Sequence, residues 1–427
     1  MSGLSLLLSA FVLVALSAGA LLRPMSAVAL WAFMFPLEQA LQSNTTFFYS
    51  NQTALNIMCG GVVCVVMLRK LVSAEGRISQ VLNPAFGTLA LLLVFAGISV
   101  NWSAYKSNAS EQIWWNFPYM VVSIVCVPLC ISSLQEIGQL RKLVMFFGCI
   151  LAAAILTDQN FNFYSERARL QLGGGQSGSP LALAEAGGLM MIFAALGRGG
   201  DIRKVALLIR GITIVLGAGL CLTSGSRGQL VAAVLVSFVL FPFARPISNV
   251  RSVISLLATM LIVGVLLYLS TALFVSSENL SRWSTDSLSG GAGERLDFVR
   301  NYFDVWLRDP SVWVFGLGTM SFGALVSSAN FVENLNVEIL IEEGLVGLVL
   351  YLGVLVFVGR SIVYLWLNPM KTNEDRANLV TLIGVILYFF VVASKSFNVW
   401  TAHPYWMWLM VAASISAAEQ RRQRDLY

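Results

Sequence analysis

Apolar stretches of about 17–25 residues recur along almost the whole chain, each long enough to cross the hydrocarbon of a bilayer as a helix. Only a helix or a closed barrel satisfies its own backbone polar groups there, and segments of this length are helical. They are read near 4–22, 25–41, 54–71, 84–100, 117–134, 142–157, 181–197, 204–222, 228–243, 252–272, 339–360, 377–394 and 398–418. That makes 13 spans, or 12 because so few residues separate the first two. Charged residues make up 11% of the 427, against about 25% in soluble domains, which excludes a water-soluble globule. The spans abut without a soluble-sized gap. The expectation is one all-α polytopic integral membrane domain, 1–427, with a large helical loop at 274–337 and a smaller one at 158–180.

Orientation follows from Lys and Arg in short connections. Arg69, Lys70 and Arg77, then Arg141 and Lys142, Arg198, Arg203 and Lys204, Arg245 and Arg251, and Arg360, Lys371 and Arg376 fall in alternate connections. The C-terminal QRRQRDLY belongs with them. That face is expected to be cytoplasmic, so the 158–180 and 274–337 loops face outward, together with SGSRG. The net charge of +5 restates this bias and gives no reason to expect a nucleic-acid partner. The first segment lacks a basic n-region and a clear small-x-small cleavage site, and is read as retained. All six cysteines lie in apolar spans without metal spacing, and there is a single histidine. A zinc or haem centre is not expected.

The outward loops carry the chemistry. QSNTTFFYSNQT (42–53) and NWSAYKSNASEQIWWN (101–116) are rich in amides, hydroxyls and aromatics. Such composition suits either a membrane interface or a surface on which sugars stack. In the 158–180 loop, Arg167 and Arg169 precede the triple glycine 173–175. Gly-rich backbone beside arginine is either an anion-binding nest or a flexible connector. Arg227 sits in SGSRG, a short break between two spans, on the side where the charge bias disfavours it. It either snorkels to outer headgroups or serves a function. The 274–337 loop holds Arg282, Arg295, Arg300, Arg308 and Pro310, and closes at ENLNVEILIEEGLVG. There Glu338, Glu342 and Glu343 open the next span, where at least one suits a helix N-terminus.

These elements, in this order, resemble the O-antigen polymerase and O-antigen ligase superfamily of bacterial inner membranes. The features that carry the resemblance are SGSRG between spans, Arg295 placed 15 residues before Pro310, and GLGTMSF followed by ENLNVEILIEEGLVG. They cover roughly residues 150–360. Members of that family transfer glycans from an undecaprenyl-diphosphate carrier at the periplasmic face. The resemblance maps Arg227 onto the arginine of the family's SRG turn and Arg295 onto the arginine that opens the loop helix. Arg169 matches the arginine before the Gly-rich turn. Asn334, Glu338, Glu342, Gly344 and Gly347 fall on the family's stretch HN-x-x-x-E…E-x-G-x-x-G. Three features depart from it. Glu333 stands where the ligases carry histidine, Val299 replaces an aromatic residue, and Gly316 lies further beyond Pro310. The missing histidine favours a polymerase over a ligase.

The resemblance implies a chemistry that these residue types suit. Arginine grips phosphate oxygens bidentately and stays charged, so Arg227 and Arg295, supported by Arg169 or Arg167, are expected to stabilise a departing diphosphate. No cofactor or metal is required for that role, and no D-x-D-type motif is evident. Glu333 is the candidate general base, unless it is an ordinary solvated loop acid. The expected partners are an undecaprenyl-diphosphate-linked oligosaccharide, the lipid bilayer and a chain-length regulator. Two alternatives stay open at this level: a ligase transferring glycan to lipid A core, and a transporter of lipid-linked oligosaccharide. Against the transporter, no internal repeat is evident and the polar residues gather at one face rather than at mid-depth.

Overall fold

The computed structural model describes residues 2–73, 77–162, 169–197, 204–245, 264–265, 285–325, 334–368 and 372–425. Among the described residues the fold is all-α apart from one two-stranded antiparallel pair. Among the described residues, nine helices are long and apolar enough to cross a membrane, and the shorter apolar helix Pro180–Leu196 adds a tenth candidate. The expected span 252–272 lies almost wholly outside the described residues.

Three expected boundaries shift, each for a local reason. The 25–41 segment is two helices, Pro24–Ala32 and Met34–Asn44, broken at Phe33. Pro36 has no N–H to give the carbonyl of Ala32 and its ring would crowd it, so the helix restarts at Met34. The helix at Lys106–Val121 begins inside the stretch read as an exterior loop and continues to Cys130 through a more widely wound turn at 122–126. Pro118 lies at that transition, where a missing donor disturbs the regular ladder. The span read at 339–360 starts instead at Gly344 and runs to Leu367, behind a separate short helix, Leu335–Glu342.

The residues group into two compact units. The first comprises Met1–Arg69, Ser133–Ser284 and Pro369–Tyr388. Its centre is the helix Pro180–Leu196, which is buried on nearly every side. A helix apolar all round needs neighbours on all sides. It has them in Leu134–Leu156, Lys204–Thr223 and Arg227–Ala244. Backbone approach is closest at Gly187, where a β-carbon would strike the carbonyl of Gly217. Small residues at such crossings let dispersion contacts replace the hydrophobic drive that lipid removes. Arg141, assigned by sequence to a short loop, is fully buried on Leu134–Leu156 and reaches Glu374 at 3.4 Å and Asn378 at 3.3 Å.

The second unit comprises Lys70–Ser132, Thr285–Asn368 and Phe389–Tyr427. Its helix His403–Arg424 packs against Gly344–Leu367 and Pro84–Ser99. The amphipathic helix Thr285–Arg308 belongs to the same unit. Phe298, Tyr302 and Trp306, four residues apart, face a cluster with Phe322 and Ile341. Asp297, Arg300, Asp304 and Arg308 stay exposed. That spacing makes a single apolar stripe. The six cysteines, all among the described residues, form no disulfide.

Candidate functional site

In the first unit, the loop carrying Arg169 is built on Asp158. This carboxylate is buried and accepts hydrogen bonds from Ser5 Oγ (2.8 Å), Ser43 Oγ (3.1 Å), Asn44 Nδ2 (2.5 Å) and the amide of Asn160 (2.8 Å). Asn160 passes the order onward, since its Nδ2 donates to the carbonyl of Ser43 and its own carbonyl accepts from the amide of Gln171 at 2.8 Å. Strand Phe161–Asn162 pairs antiparallel with Arg169–Leu170, opposing Asn162 to Arg169. The glycine turn is packed rather than slack: Gly173 lies against the ring of Tyr49, where a β-carbon would clash. The amide of Gly178 donates to the carbonyl of Leu170 at 2.8 Å. This ties the hairpin to the start of Pro180–Leu196.

The same helix fixes where the SGSRG turn stands. Cys221 Sγ donates to the carbonyl of Ala184 at 3.3 Å, and Gly217 meets Gly187. Residue numbers rise on one helix as they fall on the other, so the pair is antiparallel. Continuing that register by one turn brings Pro180 level with Gly225. The hairpin of Arg169 and the turn of Arg227 therefore occupy the same end of this helix pair. Gly225 adopts φ +65°, a conformation glycine takes without steric cost. Ser224 bonds back to the carbonyl of Cys221, and the span Arg227–Ala244 begins directly at Arg227. The amides of a helix N-terminus add partial positive charge to the guanidinium there. Arg167 lies outside the described residues.

In the second unit, Arg295 lies on the helix Thr285–Arg308, seven residues before Tyr302. Glu333 lies outside the described residues. Asn334 is the N-cap of Leu335–Glu342, its Oδ1 accepting from the amide of Val337 at 3.3 Å. Glu338 sits in the first turn of that helix, the position that favours an acid.

Where this helix ends, two glycine-laced segments are knotted together. The amides of Leu317 and Gly318 donate to the carbonyls of Ile341 and Glu342, and those of Leu345 and Val346 donate to the carbonyls of Trp313 and Val314. Each segment thereby serves backbone groups left over where the helix breaks. Gly316, Gly318 and Gly344 have φ of +78°, +89° and +65°. A β-carbon on Gly316 would strike the carbonyl of Glu342, and one on Gly344 would strike Val314 and Gly316.

The glutamates hold this knot from inside. Glu342 accepts from Tyr302 Oη (2.9 Å) and from the amides of Met320 (2.6 Å) and Phe322 (3.4 Å). Glu343 accepts from Thr319 Oγ1 (2.5 Å) and Ser99 Oγ (3.2 Å). Glu338 accepts from the amide of Val399 at 3.2 Å. No arginine or lysine among the described residues pairs with any of the three. All three are fully buried, and burial pushes each above the usual carboxylate range, Glu343 to about 7. Neighbouring carboxylates push Glu338 and Glu342 further the same way. Burial and the adjacent Glu342 likewise raise the Tyr302 phenol. Glu342 and Glu343 thus build the loop from within, while Glu338 ties its helix to the connection at Val399.

Sequence reasoning missed Asp158, Tyr302, Thr319 and Ser99 as organising residues. Their partners are as far as 244 positions away along the chain. Only Tyr302 had a local signal, as one member of an i, i+4 aromatic stripe.

Fold and composition together define an all-α, multi-pass membrane protein. Comparison of the chain with protein-family models and with curated proteins returned no match.

Proposed function

We propose that the chain is a bacterial surface-polysaccharide polymerase, a metal-independent glycosyltransferase of the inner membrane. It joins oligosaccharide repeats carried on undecaprenyl diphosphate at the periplasmic face, with the C-terminus in the cytoplasm. One observation carries the reading: the ordered hairpin bearing Arg169 and the turn bearing Arg227 share one end of an antiparallel helix pair. Two arginines, a helix N-terminus and a glycine turn at one membrane boundary suit a diphosphate. Arg295, on the amphipathic helix of the other loop, is assigned to the same task, with Arg167 in support.

In this reading the acceptor hydroxyl oxygen attacks C1 of the donor sugar as the C1–O bond to phosphate breaks. The diphosphate leaves with the bonding pair and is held by the guanidinium groups. The hydroxyl proton passes to the carboxylate of Glu333. A single displacement inverts the anomeric centre. Stabilising the departing oxyanion electrostatically is the strongest source of rate acceleration open to such a site.

The test is incubation of purified protein with lipid-diphosphate-linked repeat units. A polysaccharide ladder is expected, lost in Arg227→Ala and in Arg295→Ala although both insert in the membrane. A full ladder from either variant removes the diphosphate assignment. Glycan arriving on lipid A core instead identifies a ligase, and neither product favours transport of lipid-linked oligosaccharide.

A further inference from the structure

Within the second unit, a cavity of about 790 Å³ opens at the far end of Gly344–Leu367 from the glycine knot. Arg360 is 16 residues beyond Gly344, or about 24 Å along the helix at 1.5 Å per residue. Asn83, at the start of Pro84–Ser99, forms one edge, Arg360, Ser361 and Tyr364 form another, and Gln420 and Arg424 of His403–Arg424 close it. No acidic side chain lines it.

The charges around it are unevenly matched. Arg422 pairs with Glu419 and Arg77 with Asp425, each at 3.7 Å, while Arg421 is bonded to Ser79. Arg360 and Arg424, the two arginines on the cavity, make no ion pair among the described residues. Tyr364 Oη is held by Gln423 at 2.8 Å, which sets that wall. The N-terminus of Pro84–Ser99, capped by Asn83 through the amide of Phe86 at 3.1 Å, adds partial positive charge. One wall is apolar, with Phe357 facing in. The site stands at a membrane boundary, where the span beginning at Pro84 starts and the one ending at Leu367 stops. Leu82, Trp366 and Leu367 are exposed around that level.

Two guanidinium groups converging on a cavity without a counter-acid call for an anion with several acceptor oxygens. Basic pockets between spans are suited to lipid phosphates. We infer that this cavity binds a phosphate group of the kind carried by anionic membrane lipids, held between Arg360 and Arg424 with amide support from Gln420. The cavity is lined by none of the arginines assigned to transfer, so the inference stands whatever reaction the chain performs.

The full chain is reconstituted in nanodiscs of phosphatidylcholine mixed with phosphatidylglycerol, extracted, and examined by native mass spectrometry for retained lipid. Wild type is expected to retain phosphatidylglycerol over phosphatidylcholine, and R360Q/R424Q to lose that preference by about tenfold. R422Q, outside the cavity, retains it. The single variants R360Q and R424Q give intermediate retention, which keeps the test open if the double variant fails to elute as a monodisperse species. A parallel arm measures melting in detergent with inorganic phosphate. A phosphate-dependent rise abolished in R360Q/R424Q, without lipid selectivity, assigns the same chemistry to a soluble source. Equal lipid retention by wild type and the arginine variants, with no arginine-dependent response to phosphate, overturns the inference.

Discussion

The hydroxyl of Tyr302 donates to Oε1 of Glu342 across 2.9 Å, clamping the amphipathic helix of the long loop onto the break before a membrane span. Both groups are fully buried. The same carboxylate receives the amides of Met320 and Phe322, so one side chain gathers separate stretches of the loop.

Tyr302→Phe removes one donor and keeps the ring against Phe322. A buried hydrogen bond of this kind contributes about 1 kcal/mol net, so melting in detergent should fall modestly. Glu342→Ala strands three donors at once and should cost at least twice as much. Equal melting temperatures for the two variants would show that the carboxylate is not the organiser.

Gly344→Ala forces a β-carbon against Val314 and Gly316 at a positive φ. Left-handed strain alone costs about 1–2 kcal/mol in a residue with a side chain, and the clash adds to it. The variant is expected to melt well below wild type. Gly359→Ala, on the same helix with open space around it, should leave melting unchanged or raise it slightly.

Glu343 carries a pH signature. Burial raises its folded value to about 7 from an ordinary 4.5, so between those values the folded protein binds a proton that the unfolded chain has lost. Its contribution is therefore complete below pH 4.5 and fades as pH rises through about 7. Melting temperature should decline between about pH 4.5 and 7 and level off above that, and Glu343→Gln should flatten that decline. An unaltered slope in the variant would place the titration elsewhere.

Asp158→Ala removes the acceptor shared by Ser5, Ser43, Asn44 and Asn160. Ser43 and Asn44 keep the carbonyl of Ala40, so the loss falls mainly on the buried hydroxyl of Ser5, at about 1 kcal/mol or more. The hairpin bearing Arg169 should loosen, read as faster proteolysis within 158–180 and, if the proposed reaction holds, a weaker polysaccharide ladder. Ser43→Ala, which removes only one donor, should do far less.

Much of the architecture was legible because lipid imposes it. Apolar length alone marks most of the spans, since backbone groups have no other partners in hydrocarbon. The break at Phe33 was not read, although Pro36 causes it, because the apolar run around it masks the proline. The split between Leu335–Glu342 and Gly344–Leu367 was harder. Its cause is Gly344 and the backbone of Trp313 and Val314, about thirty residues earlier. Local pattern readily gives an N-cap such as Asn334. It does not give the pairing of Ser99 with Glu343, because no short-range spacing encodes a contact between residues so far apart in sequence.

Because every native thiol lies within an apolar span, most of them fully enclosed, the unmodified chain should resist charged, membrane-impermeant maleimides. A reporter cysteine introduced at Gln176 or at Thr372 would then be the only reactive position. Labelling of intact cells would report which of the two positions faces outward, without first stripping the protein of its own sulfur.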